Sequence, residues 1–304
     1  MSSLTGSSTR PRLAGIVAAL VTPMRDGGAR VDPDATGRLV AWLAEKGIHG
    51  LYIAGTTGEG LYLTVEEHRE LTQAVVKAAH GVPVVAHVGA LTTAQAVGLA
   101  RQAVDAEATA VAAIPPSYYS MTQDELLAYF TAIGKAATPL PLYLYNIPSH
   151  ARNDLPPALV KEIREVVPNV AGIKDSSGFA GRIGALVRTL GPGFDVVCGN
   201  DEMDLSAFQN GAVGIVSSGA GIFPELYLAL YTAWKSGRLA EAQEAQARVI
   251  AMQEALGNGA RLGWYKYVLA ERGIPIGGVR APLLDPGPAD QEAIRKRLKE
   301  LKLL

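Results

Sequence analysis

The chain of 304 residues contains a single cysteine, Cys198. One thiol excludes an internal disulfide framework and any zinc site built on cysteines, and it suits a reducing cytoplasm. The five histidines, at 49, 68, 80, 87 and 150, form no close ligand pair of the HxxxH kind, so no metal is assigned. Net charge is nearly absent: 28 basic residues stand against 29 acidic ones, for a formal -1. Nothing therefore steers the protein to nucleic acid or to an anionic membrane. No apolar run reaches about 18 residues, so no transmembrane helix is expected. The stretch from Met1 to Arg12 lacks an apolar h-region and reads as a short disordered lead, not a signal peptide. A cytoplasmic protein is the expectation.

What is present is apolar residues, 48% of the chain, enough to bury the core of one large α/β domain or two ordinary ones. Short Val/Ile/Leu/Tyr-rich runs alternate with longer helical patterns. The runs predict strands over 16–22, 50–55, 83–89, 110–115, 142–147, 171–175, 195–199 and 213–217. Helical patterns follow at 34–46, 65–80, 93–106, 123–137, 156–166, 180–190, 202–210 and 224–235. Thr64 with Glu67 and Thr122 with Glu125 have capping-box spacing, and Gly47, Gly81 and Gly191 stand where helices should stop. Nearly continuous apolar strands imply parallel pairing buried on both faces. Eight strand–helix repeats close naturally into a (β/α)8 barrel. An open doubly wound sheet is the runner-up, but Ala18–Pro23 carries no glycine-rich phosphate loop after the first strand. The expected organisation is a lead over 1–12, a barrel over 13–236 and a helical appendage over 237–304, with helices near 239–256, 261–271 and 288–301.

The oddest residue is Lys174, inside the apolar run Val170-Ala-Gly-Ile-Lys-Asp-Ser-Ser177. Burying an ammonium costs several kcal/mol unless it is paired or loses its proton. A neutral amine is a nucleophile. Lys174 is therefore half of a buried ion pair or a Schiff-base former. Asp175 is a poor partner, because neighbours on a strand face opposite ways.

In barrels of this kind the site forms at the C-terminal ends of the strands. There the sequence places Thr22, Gly55-Thr-Thr-Gly-Glu59, Tyr118-Tyr119, Tyr145-Asn-Ile-Pro148, Lys174-Asp-Ser-Ser177, Gly199-Asn-Asp-Glu202 and Ser217-Ser218. Gly55-Thr-Thr-Gly58 offers N–H groups and hydroxyls that suit a small carboxylate, although a lone GTTG is more often a plain turn. Tyr145, one strand from Lys174, could shuttle protons, or be one more half-buried aromatic. Asp201 and Glu202 could accept hydrogen bonds from substrate hydroxyls or simply complement a helix dipole. His87, inside a strand, reads as a hydrogen-bonded core residue.

With these motifs in this order, and with the late Arg280-Ala-Pro-Leu283, the chain from about Leu13 to its end resembles the pyruvate-dependent class I aldolases. That family includes 4-hydroxy-tetrahydrodipicolinate synthase, N-acetylneuraminate lyase and 2-keto-3-deoxy sugar-acid aldolases. The resemblance implies that Lys174 forms an imine with pyruvate and that Tyr145 moves protons. It implies that Thr57 and nearby amides hold the pyruvate carboxylate, and that Thr56 links Tyr145 to Tyr119. It also implies substrate contacts at Gly58, Ser176, Gly199, Asp201, Glu202, Val216, Ser218 and His150. The distal tyrosine of relatives comes from a neighbouring subunit, so a homo-oligomer, typically a tetramer built as a dimer of dimers, is implied. No metal or organic cofactor is expected, since the lysine supplies the electrophilic iminium.

The synthases carry an arginine where this chain has His150, with Arg152 two residues later. Imidazole does not replace a bidentate guanidinium. The acidic and hydroxyl-rich rim suits a polyhydroxy substrate. Gly-Thr-Thr-Gly, by contrast, is more typical of the synthases and keto-deoxy acid aldolases than of the lyases. A 2-keto-3-deoxy sugar acid or an N-acetylneuraminate-like substrate is expected first, the synthase reaction second and a keto-deoxy acid dehydratase third. The non-enzyme alternative, a keto-acid-binding regulator, would predict loss of Lys174 or Tyr145, and both are present.

Overall fold

The structure is a computed structural model that describes residues 13–179 and 181–304. The expected lead over 1–12 lies outside the described residues, as does Ala180. Ten strands follow in chain order: β1 (Gly15–Ala19), β2 (Met24–Arg25), β3 (Arg30–Val31), β4 (Gly50–Ile53), β5 (Val84–His87), β6 (Ala110–Ala113), β7 (Leu142–Asn146), β8 (Val170–Asp175), β9 (Asp195–Cys198) and β10 (Gly214–Ser217). All but β2 and β3 form one closed parallel barrel, in which β1 pairs with both β4 and β10. The barrel expectation holds. β2 and β3 make a small antiparallel hairpin that the sequence reading did not foresee.

The helices are α1 (Pro33–Glu45), α2 (Val65–Ala78), α3 (Thr93–Asp105), α4 (Gln123–Ala137), α5 (Pro148–Ala151), α6 (Pro157–Val166), α7 (Arg182–Leu190), α8 (Asp204–Gln209) and α9 (Pro224–Lys235). After the barrel come α10 (Leu239–Ala255), α11 (Leu262–Glu271) and α12 (Pro288–Glu300). Both capping boxes are made: Thr64 and Thr122 accept from the N–H three residues on, and Glu67 and Glu125 reach back. Among the described residues no helix is long and apolar enough to cross a membrane.

Two apolar layers follow from strand alternation. The outer one, between strands and helices, contains Ile16, Leu51, Ile53, Leu142, Leu144 and Ile173. The inner one fills the barrel with Val17, Tyr52, Val85, Ala112, Tyr143, Tyr145 and Val197. At the N-terminal end Tyr143 Oη donates to Asp195 Oδ2 (2.8 Å) and accepts from Leu13 N (3.0 Å), closing the barrel floor.

β8 departs from strict alternation at one point. Leu142 pairs with Val170, but Tyr143 pairs with Gly172, so β8 carries one extra residue there. A bulge of this kind shifts every later side chain to the opposite face. Val170 lies in the outer layer, and uninterrupted alternation would put Lys174 outside with it. The bulge instead pairs Lys174 with Tyr145 and turns both inward. Gly172 makes it possible, since a Cβ there would fall 2.7 Å from the Tyr143 ring.

Several strands are shorter at their C-terminal ends than their apolar runs suggest. β1 stops at Ala19, although apolar residues continue to Val21, and β4 stops at Ile53. There the backbone leaves the ladder to form the rim loops. The helix expected over 202–210 begins as a 3₁₀ turn, Asp201–Met203, before α8.

The C-terminal helical segment is present and packs into the outer core through Val249, Met252, Leu256, Tyr265, Val268 and Leu269. It is also tied to the Gly55–Glu59 turn. Glu59, buried at the end of that motif, pairs with buried Lys266 at 2.6 Å and accepts from Arg280 N (2.8 Å). Arg280 in turn forks onto both oxygens of Glu67.

Candidate active site

The C-terminal strand ends surround a cavity of about 440 Å³. Lys174, 6% exposed, enters it from β8. Its Nζ lies 4.0 Å from the centre of the Tyr145 ring and 4.9 Å from that of Tyr52. Among the described residues no carboxylate forms an ion pair with it. Asp175 faces outward, where it accepts from Asn146 Nδ2 (2.8 Å) and Ser177 Oγ (2.6 Å). Asn146 also bonds Asp154 (2.9 Å), which holds Arg182. The ends of β7 and β8 are thus locked from behind by a polar network that leaves the amine free on the inside. Of the two readings open in the sequence, the buried ion pair is not formed.

Lys174 needs room on one more side. A Cβ on Gly199 would lie 2.6 Å from Lys174 Cε and would overlap Ser176 Oγ. Tyr145 is buried and faces Thr56, with 3.5 Å between Tyr145 Oη and Thr56 Oγ1. Burial pushes its phenol pKa up. The Lys174 charge and hydrogen bonds with Thr56, Lys174 and Ser176 outweigh that and hold it below the ordinary value. Tyr52 completes the floor with a buried hydroxyl that has no hydrogen-bond partner among the described residues. His87 behaves as a core residue: its Nε2 accepts from Ile114 N (3.2 Å). Burial, then the neighbouring His68 and Lys174 charges, bring its pKa down to about 3.

The Gly55–Glu59 turn is built tightly over β4. Ala54 and Glu59 adopt left-handed φ of 56° and 55°. A Cβ on Gly58 would lie 2.9 Å from Ala54 N, and Gly58 O accepts from Thr22 Oγ1 (2.6 Å). Thr56 and Thr57 line the cavity, whereas Gly58 packs beneath the turn and is not on the wall.

The rest of the cavity lining is largely polar. Ser176, Gly199, Asp201, Glu202, Val216, Ser218 and His150 all line the cavity. Burial raises the Asp201 pKa against hydrogen bonds from Ser217 and Tyr227 and against the Lys174 charge. His150 is exposed, and its Nδ1 lies 3.0 Å from Ser149 Oγ. Arg152 caps α5 in a left-handed conformation, is exposed and is not on the wall. Tyr119 does not reach the cavity of its own chain. It is 70% exposed and packs edge-on against Tyr118, itself 75% exposed, in a loop fastened by Asn153.

Sequence reasoning placed Asn200 and Ser217 at the rim without a role and missed Gln253 and the Asn258–Ala260 loop, which also line the cavity. Among the described residues no group of three or more His, Cys, Asp or Glu could hold a metal ion.

A closed parallel barrel thus carries a buried amine beside a phenol at its C-terminal rim. The signature of the dihydrodipicolinate synthetase family matches residues 12–301, and the chain belongs to that family. The 4-hydroxy-tetrahydrodipicolinate synthase of Rhodospirillum centenum is 34% identical over 291 residues, 95% of this chain and 99% of that protein. Among solved structures, dihydrodipicolinate synthase from Aquifex aeolicus matches with a TM-score of 0.90 and 28% identity, covering 95% of this chain and 98% of that one. A catalytic-lysine mutant of the Ruminococcus gnavus sialic acid aldolase matches equally, with a TM-score of 0.90, 29% identity and 95% of each chain covered.

Proposed function

We propose that the protein is a class I aldolase in which Lys174 captures pyruvate and a carbon–carbon bond to an aldehyde is made or broken beside it. The observation that carries this reading is the unpaired Lys174 amine at the end of an apolar strand, 4.0 Å from the Tyr145 ring and open to a cavity. The deprotonated amine adds its lone pair to the ketone carbon, and the carbinolamine loses water to give an iminium. Loss of a methyl proton makes an enamine, whose carbon attacks the aldehyde carbon while the aldehyde oxygen gains a proton. Hydrolysis returns the amine, and cleavage is the same sequence reversed. The iminium is the electron sink, so the chemistry requires neither metal nor organic cofactor.

Tyr145 is the proton carrier in this reading, and its lowered pKa suits it to act as a base. Thr57, through its hydroxyl and an N–H that no hydrogen bond within the described chain uses, would hold the pyruvate carboxylate. Thr56 would pass protons onward. Tyr119 would complete that relay only from a second copy of the chain, and the outward-facing Tyr118 and Tyr119 support self-association, as a dimer or tetramer.

Two readings of the aldehyde have specific support. A hydroxylated chain is favoured by the wall opposite Lys174, which offers Asp201, Glu202, Ser218 and His150 and no guanidinium. Aspartate semialdehyde, the 4-hydroxy-tetrahydrodipicolinate synthase reaction, is favoured by the names of the curated relatives. The first test is borohydride reduction with pyruvate followed by peptide mass spectrometry. An adduct on Lys174 is expected, and an adduct elsewhere or none overturns the reading. Pyruvate release from keto-deoxy sugar acids, run beside semialdehyde condensation, then separates the two partners.

A further inference from the structure

The far wall of the cavity is not held by the barrel alone. Two glutamines on α10, Gln246 and Gln253, stand two turns apart on one face and are both buried. Gln246 Nε2 donates to Asp201 O (2.7 Å), and its Oε1 accepts from Leu205 N (2.8 Å). Gln253 Nε2 donates to the Asp201 carboxylate at short range and to Tyr227 Oη (2.9 Å). Its Oε1 accepts from Tyr265 Oη (2.7 Å), which Ser218 Oγ approaches at 3.5 Å.

Each part of this network fixes the next. An ionised carboxylate only accepts, so it requires the NH₂ end of the amide. The Tyr265 hydroxyl, from α11, claims the carbonyl end and so disfavours the flipped amide. Tyr227 Oη accepts from one Gln253 N–H and, with Ser217, donates to Asp201. Space for the network is left by Gly219. A Cβ there would overlap Tyr227 Oη and lie 2.6 Å from Gln253 Nε2. Gly219 is not in the left-handed region, so close approach and not backbone conformation is what a side chain there would violate.

We propose that Gln253 is a positioning residue: through its amide the helices after the barrel fix the Asp201 carboxylate and thereby set which aldehyde the enzyme accepts. This rests on the class I aldolase reading above. The Lys174 end of the cavity is built by β7, β8 and the Gly55–Glu59 turn, none of which Gln253 touches. Its main effect is therefore expected on the aldehyde half of the reaction. A buried amide whose orientation is locked on both ends holds its partner far better than a lone rotamer would.

The test uses the full chain and whichever aldehyde the wild type turns over best. Gln253→Leu is expected to raise KM for that aldehyde roughly tenfold or more, with kcat changed less, because the half-buried Asp201 carboxylate loses a fixed donor. Tyr265→Phe, which frees the amide without touching Asp201, and Gly219→Ala, which displaces it, should move KM in the same direction by smaller factors. Borohydride trapping of pyruvate should persist in all three. In an Asp201→Asn background, Gln253→Leu should add nothing further to KM. Unchanged KM in Gln253→Leu and Tyr265→Phe overturns the inference, as does a fully additive double variant. Should Gln253→Leu fail to fold, Tyr265→Phe and Gly219→Ala decide alone, and unmoved KM in both overturns it. If wild-type protein traps no pyruvate, the aldolase reading itself has failed, and this inference with it. Trapping with an unmoved KM removes this inference only.

Discussion

Gly199→Ala is the most direct probe of how the barrel aims its amine. Gly199 is not in the left-handed region, so alanine meets no backbone penalty and the effect is steric. The added methyl would lie 2.6 Å from Lys174 Cε and would overlap Ser176 Oγ. Ordinary carbon–carbon contact is about 3.5–4.0 Å, so the lysine chain must retreat by about 1 Å. It has little room, because the Tyr145 and Tyr52 rings close the other side. A misplacement of about 1 Å costs on the order of 100-fold in rate when reacting groups must be aligned. Overpacking should lower stability by about 1–3 kcal/mol, leaving the fold intact. The assay is the rate of borohydride-trapped imine under saturating pyruvate, with urea unfolding as the control. A folded variant that forms imine at the wild-type rate would refute the claim that this wall aligns Lys174.

The other expectations concern the reactive group, the partner aldehyde and pH. Lys174→Ala should abolish both turnover and trapping while circular dichroism stays native, since the amine has no ion-pair partner to orphan; an unfolded variant would make the lysine structural. His150→Arg should raise kcat/KM for aspartate semialdehyde by roughly tenfold through a bidentate carboxylate contact. No gain there would undo the argument from the missing guanidinium. Glu67 has a lowered pKa, chiefly through its hydrogen bonds from Arg280. A depressed carboxylate contributes stability that is full above its unfolded pKa and is lost as pH falls through the folded one. Glu67→Gln should therefore destabilise at neutral pH, and the difference should vanish in acid below that lowered value; a difference that persists there contradicts the linkage.

The barrel was legible because each buried strand declares itself as an apolar run and each helix brings its own stop and start signals, such as Thr64 with Glu67. Lys174 and Tyr145 were legible for the converse reason: polar groups at the ends of such runs need an explanation. Strand ends were overestimated where Leu20 and Val21 stay apolar, because burial against the rim asks for the same residues as the ladder does. Glu59 looked like part of a ligand turn, yet its carboxylate is taken up by Lys266, more than two hundred positions away. Gln253 was invisible for a similar reason. An amide on a helix is ordinary until the fold reveals what it faces, and no local pattern encodes the Asp201, Tyr227 and Tyr265 side chains that converge on it.

The extra residue in β8 makes the amine's direction a matter of counting and not of chemical identity. Deleting Ala171 alone would remove no functional group and would restore simple alternation, with Val170 outward and Lys174 still inward opposite Tyr145. Straightening the strand at its full length would instead turn Lys174 toward the surrounding helices with its identity unchanged. An insertion–deletion scan across β8 would expose this dependence, which an alanine scan cannot register.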